Sequence, residues 1–173
     1  MPKEIERKFL VAANRVPSSG GTRIRQGYLA VAPDGGEVRL RQCGTAYTLT
    51  TKLGSGLVRE EWEIELSTED FRAMWPETEG ARVVKTRHPV RLDGQGVHEA
   101  VLDVYEGALD GLRVLEVEFT SAEQALRFEP PAWFGMEVTG RSQYADRNLA
   151  RTTAEEALLL IPSAPPLRFA PLS

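Results

Sequence analysis

The sequence contains very few residues that bind soft metals or form cross-links. Cys43 is the single cysteine among 173 residues, and His88 and His98 are the two histidines. One thiol excludes an intramolecular disulfide, and this set is too small for a Cys/His zinc cluster. We therefore expect a reducing compartment and, if the protein binds a metal, oxygen ligands.

Long apolar runs are also missing. No run approaches the ~18 residues that a membrane-spanning helix needs, and the charged N-terminal region lacks the apolar core of a secretory signal. These features predict a cytoplasmic protein without a membrane partner. The net charge of -4, from 21 Lys and Arg against 25 Asp and Glu, gives no overall basic field for nucleic acid. Any anion site must therefore be local.

The length and composition predict one ordinary domain. A chain of 173 residues with 42% hydrophobic content is long enough for its own core and too short to require splitting. We assign residues 1–161 to this domain. Residues 162–173 contain Pro165, Pro166 and Pro171 and are predicted to form an extended tail. The sequence does not give the oligomeric state, and a homodimer is compatible with it.

Period-2 alternation of apolar and polar residues, bounded by Gly, Pro and Asn, predicts a sheet of eight strands. These are expected at residues 3–12, 22–31, 37–43, 45–53, 57–66, 81–92, 97–105 and 112–119. Glycine-containing connections indicate mostly antiparallel neighbours. Helices are expected after Ser67, after a capping box that begins at Thr120, and from Thr153 to Ile161. The predicted class is α+β.

Almost every predicted strand has one ionic face and one apolar face, and the apolar faces are expected to form the core. Glu4, Glu6 and Lys8 share a face of the first strand, and Arg39 and Arg41 share a face of the third. Like charges two residues apart lie at about 7 Å and repel. A site for a polyanion with divalent cations needs both acidic and basic clusters, although the pattern alone leaves open whether these faces point inward.

The order of these motifs resembles the CYTH superfamily, also called triphosphate tunnel metalloenzymes. The first motif is Glu4-x-Glu6-x-Lys8, and the resemblance extends to about residue 150. It continues through Gln26-Gly27-Tyr28-Leu29, Val38-Arg39-Leu40-Arg41, Thr48-Leu49-Thr50-Thr51-Lys52, Arg59-x-Glu61-x-Glu63, Lys85-x-Arg87, Asp103-Val104-Tyr105-Glu106-Gly107, Leu115-Glu116-Val117-Glu118 and Pro131-x-Trp133-Phe134-Gly135-x-Glu137-Val138-Thr139.

The resemblance implies an eight-stranded antiparallel β-barrel with flanking helices, whose charged faces turn inward around a tunnel. It also implies metal-dependent hydrolysis of a small-molecule linear triphosphate, with inorganic tripolyphosphate giving pyrophosphate and phosphate as the favoured reaction. Thiamine triphosphate is a further candidate substrate. The alternatives are a class IV adenylyl cyclase that converts ATP to cyclic AMP, and a non-catalytic polyphosphate-binding module.

On this basis the charged residues receive roles. The predicted phosphate contacts are Lys8, Arg39, Arg41, Lys52, Lys85 and Arg87. The predicted ligands of Mg²⁺ or Mn²⁺ are Glu4, Glu6, Glu61, Glu63, Asp103, Glu116 and Glu118, and the acidic residues of the first and last strands should be neighbours. Lys8 and Tyr28 are the catalytic candidates, with cationic neighbours lowering the pKa of Lys8 so that it acts as a base.

One segment departs from the family pattern. Bacterial relatives tend to read Val-Thr-Gly-Asp followed by Arg-Tyr-x-Asn, whereas this chain has Arg141, Gln143 and Asp146 at the changed positions and keeps Tyr144. No role is assigned to residues 140–146 from the sequence.

Overall fold

The computed structural model describes residues 5–12, 20–53, 60–92 and 97–162, with His98 described by its backbone alone. Predictions for Glu4, for Arg59 and for residues 163–173 therefore lie outside the described residues. No helix in the described part of the chain is long and apolar enough to cross a membrane.

The described residues form one eight-stranded sheet in which every pairing is antiparallel. The strands are β1 (Glu6–Leu10), β2 (Thr22–Val31), β3 (Glu37–Cys43), β4 (Ala46–Leu53), β5 (Glu60–Glu65), β6 (Arg82–Pro89), β7 (Val97–Tyr105) and β8 (Arg113–Phe119). Their order is β1-β8-β7-β6-β2-β3-β4-β5. The predicted strands are confirmed, and so is the predicted contact between the first and last strands.

Four α-helices flank the sheet in the described ranges: α1 (Thr68–Met74), α2 (Ala122–Arg127), α3 (Asp146–Leu149) and α4 (Ala154–Leu160). The Ser67 side chain caps α1 as predicted, and α4 has a reciprocal capping box between Thr153 and Glu156. The predicted cap of α2 is wrong by one residue. Ser121, in an extended conformation, accepts a hydrogen bond from the backbone of Gln124, so the helix begins later than a Thr120 cap requires.

Two apolar clusters lie on opposite faces of the sheet. The outer cluster is the predicted core, in which Leu115 and Val117 pack against α2 and Phe128. The inner cluster lies at one end of the charged face, where Leu10 and Val114 pack against Leu149 and other residues of the C-terminal helices. The inner face is therefore divided into an apolar part and an ionic part, a division that alternation did not predict.

The apolar side of β5 corrects the prediction that all such sides form the core. Trp62 and Ile64 are 45% and 58% exposed, and Leu53 on the adjacent strand is 48% exposed. Because β5 is the last strand in the sheet order, its side chains have a strand neighbour on one side only.

The edge of β1 that faces away from β8 is covered by residues 135–138. Leu10 N–H donates to Met136 O at 2.9 Å, and Val138 N–H donates to Lys8 O at 2.8 Å. Gly135 N–H donates to Leu10 O, and a Cβ at Gly135 would lie 2.5 Å from that oxygen, so only glycine fits. Since this edge of Lys8–Leu10 is already hydrogen-bonded, β5 cannot pair there, and the described architecture is a sheet rather than a barrel closed by strand pairing.

Candidate active site

A cavity of about 400 Å³ opens on the ionic part of the inner face. Every strand except β7 contributes to its wall, and residues 138–147 complete it. The predicted site residues on this wall are Glu6, Lys8, Tyr28, Arg39, Arg41, Lys52, Glu61, Arg87, Glu116 and Glu118. The structure thus brings together most of the residues that the sequence singled out.

Arg39 is a buried guanidinium without a hydrogen bond among the described residues. Its terminal nitrogens lie 3.6 Å from Glu37 Oε1 and from Glu61 Oε1, distances that make ion pairs but are too long for hydrogen bonds. Its Nε is buried and has no hydrogen-bond partner in the described part of the chain. Only 6% of the residue is exposed. Buried donors of this kind are normally satisfied, so Arg39 indicates an acceptor that would occupy the cavity.

Arg41 lies beside it with one hydrogen bond, from Nε to Gln26 Oε1 at 3.1 Å. Within the described ranges no carboxylate oxygen lies within ion-pair distance of its guanidinium. Burial lowers the pKa of Arg41, and the charges of Arg39 and Arg87 lower it further. These three arginines therefore form a positive wall whose mutual repulsion would be relieved by a bound anion.

The acidic part of the wall comes from β1 and β8. Glu6 pairs with Glu118 and Lys8 pairs with Glu116 in the strand register. The Nζ of Lys8 lies 2.7 Å from Glu116 Oε1 and 3.2 Å from Glu6 Oε1. Two glutamates from adjacent strands therefore reach a common cation, which is here the ammonium of Lys8.

The environment of Lys8 corrects the prediction that cationic neighbours lower its pKa. Burial alone would lower that pKa, but the carboxylates of Glu116, Glu6 and Asp146 outweigh burial and raise it above its ordinary value. Burial would likewise raise the pKa of Glu116, and Lys8 with Arg87 instead holds it well below its usual range. In this arrangement Lys8 is a cation and not a base.

The donor chemistry of this acidic wall fits a hard divalent cation, because the carboxylates of Glu6, Glu116 and Glu118 border one space. The geometry fits only in part. Among the described residues, no three His, Cys, Asp or Glu side chains stand ready to hold a metal ion. Lys8 and Arg87 occupy the oxygens of Glu116 instead, so these cations would have to release Glu116 before it could bind a metal.

Comparison with known proteins supports the resemblance seen in the sequence, although no family model matches. The chain is 46% identical over 147 residues to an inorganic triphosphatase of Nitrosomonas europaea, covering 85% of this chain and 96% of that protein. It is 32% identical over 154 residues to an inorganic triphosphatase of Acetivibrio thermocellus, with 87% and 95% covered. The chain belongs to their family, the CYTH superfamily.

A solved structure agrees with this assignment. The crystal structure of an inorganic triphosphatase matches with a TM-score of 0.67 at 43% identity, and the match covers 88% of this chain and 97% of that one. Both curated relatives and this structure carry the same functional name.

Two predicted site residues of the CYTH pattern lie behind the wall rather than on it. Lys85 and Asp103 have side chains 1% and 0% exposed, and Lys85 Nζ lies 2.6 Å from Asp103 Oδ2. Arg87 donates to both oxygens of Asp103 at 2.7 Å. Lys85 and Asp103 are therefore paired with each other and do not line the described cavity, and their predicted roles in phosphate binding and metal binding stay predictions.

Glu63 also lies off the cavity wall. It is exposed and accepts a hydrogen bond from Thr50 Oγ1 at 3.0 Å. Its neighbour Glu61 lines the cavity and lies 2.8 Å from Lys52 Nζ. Of the β5 pair, Glu61 lines the cavity, whereas Glu63 acts on the cavity residue Arg41 through its charge, and its predicted role as a metal ligand stays a prediction.

Asp146 is a site residue that the sequence analysis missed. Its carboxylate lines the cavity and accepts hydrogen bonds from Lys85 Nζ at 2.7 Å, from the Tyr105 hydroxyl at 2.6 Å and from Gln26 Nε2 at 3.1 Å. Burial would raise its pKa, but Lys85 and Lys8 hold that pKa well below its usual range. The only sequence signal was the departure from the CYTH pattern at this position, because α3 carries no strand alternation.

Proposed function

We propose that this chain hydrolyses a linear triphosphate, with inorganic tripolyphosphate giving pyrophosphate and phosphate. The observation that carries the proposal is the buried Arg39 guanidinium, which borders the cavity and has no hydrogen-bond acceptor among the residues that the structure describes. A phosphate oxygen would satisfy it with a charge-assisted hydrogen bond. The inorganic triphosphatases similar to this chain support the same reaction.

The basic residues would divide the contacts with the substrate. Arg39 and Arg41 are suited to fork-like contacts with two non-bridging oxygens, whereas Lys52 and Lys8 provide point charges. Arg87 faces the cavity while it remains tied to Asp103 and Glu116. In the reaction, water attacks a terminal phosphorus, the bond from that phosphorus to the bridging oxygen breaks, pyrophosphate leaves with the bridging oxygen, and the proton of the attacking water passes to a phosphate oxygen of the products.

We further propose that Glu6, Glu116 and Glu118, together with Glu4, hold Mg²⁺ or Mn²⁺. Such an ion would neutralise charge on the phosphate oxygens and help to orient the attacking water. Lys8 and Arg87 would compete with this ion, since both hold Glu116 in the structure. Glu61 would add a carboxylate from the opposite wall.

Lys8 and Tyr28 are the proposed catalytic groups. Lys8 is positioned as a cation that contacts the reacting phosphoryl group, and it would become a base only if Glu6 and Glu116 turned to another cation. Burial raises the pKa of Tyr28, and Asp146 raises it further, so its hydroxyl keeps its proton near neutral pH. Tyr28 is therefore suited to donate a hydrogen bond rather than to remove a proton.

We also propose that the sheet encloses the substrate as a barrel-like tunnel, with residues 138–147 filling the gap between β1 and β5. This segment lines the cavity, follows the residues that pair with β1, and reaches β3 through the ion pair of Arg147 with Glu37 at 3.4 Å. Residues 138–147 would thus close the tunnel where β1 and β5 do not pair.

One incubation separates this function from its rivals. The protein is mixed with Mg²⁺ and either tripolyphosphate or ATP, and phosphate, pyrophosphate and cyclic AMP are measured. Equal amounts of pyrophosphate and phosphate from tripolyphosphate are expected. Cyclic AMP from ATP would identify an adenylyl cyclase, and binding without any product would identify a polyphosphate-binding module. Thiamine triphosphate is tested in parallel as an alternative substrate.

A further inference from the structure

Gln26 lies at the junction of the groups that border the cavity, and it is completely buried. Its Nε2 donates to Asp146 Oδ2 at 3.1 Å and to the Tyr28 hydroxyl oxygen at 2.7 Å. Its Oε1 accepts from Arg41 Nε at 3.1 Å. One amide thus connects a carboxylate, a phenol and a guanidinium.

The orientation of this amide is dictated by its two charged neighbours. The Asp146 carboxylate can only accept, and Lys85 and Tyr105 already donate to it. The Arg41 guanidinium can only donate. A flipped amide would place its oxygen against the oxygen of Asp146 and its NH₂ against Arg41, so the NH₂ group must face Asp146 and Tyr28.

This orientation decides the direction of the Tyr28 hydroxyl. Because Gln26 donates to the Tyr28 oxygen, the hydroxyl proton cannot point back at Gln26. Across the part of the chain that the structure describes, no group accepts that proton. The Tyr28 side chain borders the cavity, while its ring belongs to the inner apolar cluster. The remaining direction for the proton is into the cavity.

We propose that Gln26, held by Asp146, is a positioning residue that fixes the Tyr28 hydroxyl as a hydrogen-bond donor to an oxygen of the triphosphate. By occupying Arg41 Nε, the same amide leaves both terminal nitrogens of Arg41 for the substrate. This inference rests on the proposed triphosphate hydrolysis. It gives a function to Asp146, which departs from the Asn of the family pattern, because a carboxylate fixes the amide more strictly than an amide would.

The decisive variant is Gln26→Glu, which keeps the shape of the side chain and replaces the donor by an acceptor. Tyr28 would then donate to residue 26 and no longer to the substrate. We expect kcat for tripolyphosphate to fall by about tenfold or more, as for loss of a donor that acts in the transition state. Gln42→Glu is the matched control, since Gln42 bonds to Arg25 and to the backbone of Gly44 outside the cavity.

The double variant Gln26→Glu, Tyr28→Phe tests whether Gln26 acts through Tyr28. If it does, Tyr28→Phe already removes the effect, and the double variant should be as active as Tyr28→Phe alone. The proposal would be overturned if the losses of kcat in the two single variants multiplied in the double variant. A Gln26→Glu variant with wild-type kcat would also overturn it. Thermal unfolding and calorimetric binding of tripolyphosphate establish that each variant is folded and binds the probe.

Asp146→Asn changes the other partner of the Gln26–Asp146 hydrogen bond. It provides the test if Gln26→Glu does not fold. A loss of kcat that disappears in the Tyr28→Phe background is expected, and an unchanged kcat would contradict the proposal. The wild-type assay keeps the two ideas apart. Wild-type protein that releases no phosphate would contradict the proposed function. If the wild type is active but the effects of the single substitutions on kcat combine independently, only the proposed role of Gln26 is contradicted.

Discussion

Lys8 and Glu116 face each other on adjacent strands, and the ammonium of Lys8 lies 2.7 Å from Glu116 Oε1. The same ammonium reaches Glu6 at 3.2 Å. The protein's own cation thus occupies the place where the proposed metal ion would bind. Metal and lysine should therefore compete for these carboxylates.

This competition makes Lys8→Met informative. Removal of the ammonium should tighten binding of Mg²⁺ alone by about tenfold, equivalent to about 1.4 kcal/mol, while hydrolysis of tripolyphosphate is lost. Isothermal titration with Mg²⁺ in the absence of substrate measures the effect. Lys8→Arg keeps a competing cation and should bind Mg²⁺ like the wild type. Weaker binding by Lys8→Met would show that the carboxylates do not form the metal site.

Glu6→Gln should weaken activation by Mg²⁺, because an amide is a poorer ligand for a hard cation than a carboxylate. The concentration of Mg²⁺ for half-maximal activity should rise by about tenfold. The shift should not be larger, because the carboxylates of Glu116 and Glu118 would still bind the ion. Activity curves against Mg²⁺ measure this shift. Glu69→Gln, at an exposed position of α1, is the control. Identical curves for both variants would remove Glu6 from the ligand set.

Arg39→Ala should mainly weaken the binding of tripolyphosphate, whereas Arg87→Ala should mainly lower the free energy of unfolding. Arg39 makes no hydrogen bond in the described structure, and its ion-pair partners Glu37 and Glu61 also lie near Arg147 and Lys52. Its loss should therefore weaken tripolyphosphate binding by about tenfold to hundredfold, with a smaller cost in the free energy of unfolding than the loss of Arg87. Arg87 donates two hydrogen bonds to the buried Asp103, which keeps Lys85 as a partner, so the loss of Arg87 should destabilise the fold by about 1–3 kcal/mol. Titration calorimetry and denaturant unfolding provide the two readouts. The opposite assignment of effects would contradict this division.

Arg7 and Glu137 link β1 to the segment that covers its edge. Hydrogen bonding from Arg7 lowers the pKa of Glu137 below its ordinary value. A lowered folded-state pKa gives stability that is present above the unfolded value of about 4.3 and is lost as the pH falls through the folded value. Because 39% of the Glu137 side chain is exposed, this contribution should stay below about 1 kcal/mol.

Glu137→Gln should therefore be less stable than the wild type at pH 7 by less than about 1 kcal/mol, and the difference should disappear near pH 3. Urea unfolding at both pH values measures this. Glu123→Gln, which breaks the exposed pair with Arg127, is the control for a general surface effect. A difference that is the same at both pH values would show that the Glu137 charge is not its source.

The regular strand alternation explains why much of the site could be predicted. Glu6, Lys8, Arg39, Arg41 and Lys52 occupy period-2 positions, and side chains at such positions must share a face. The direction of that face came from the family resemblance and not from the pattern. The cytoplasmic location and the homodimer remain predictions.

The features that strand alternation did not reveal have a different physical origin. Lys85 and Asp103 match the same alternation, but whether a charged pair faces a cavity or neutralises itself behind it depends on packing across strands. Asp146 lies on a short helix that follows a loop, where no periodicity marks it. Trp62 looked like a core residue because the pattern cannot identify which strand ends the sheet.

The contacts of β1 also constrain how the protein is made. Lys8 meets Glu116 across 108 residues of chain, and Arg7 meets Glu137 across 130. A nascent chain that has exposed only its first hundred residues has neither partner for β1, so the acidic wall cannot assemble until the residues of β8 have emerged. Contacts this distant in sequence favour slow folding. Until β8 and residues 135–138 have left the ribosome, β1 has neither of the neighbours that pair with it in the described structure.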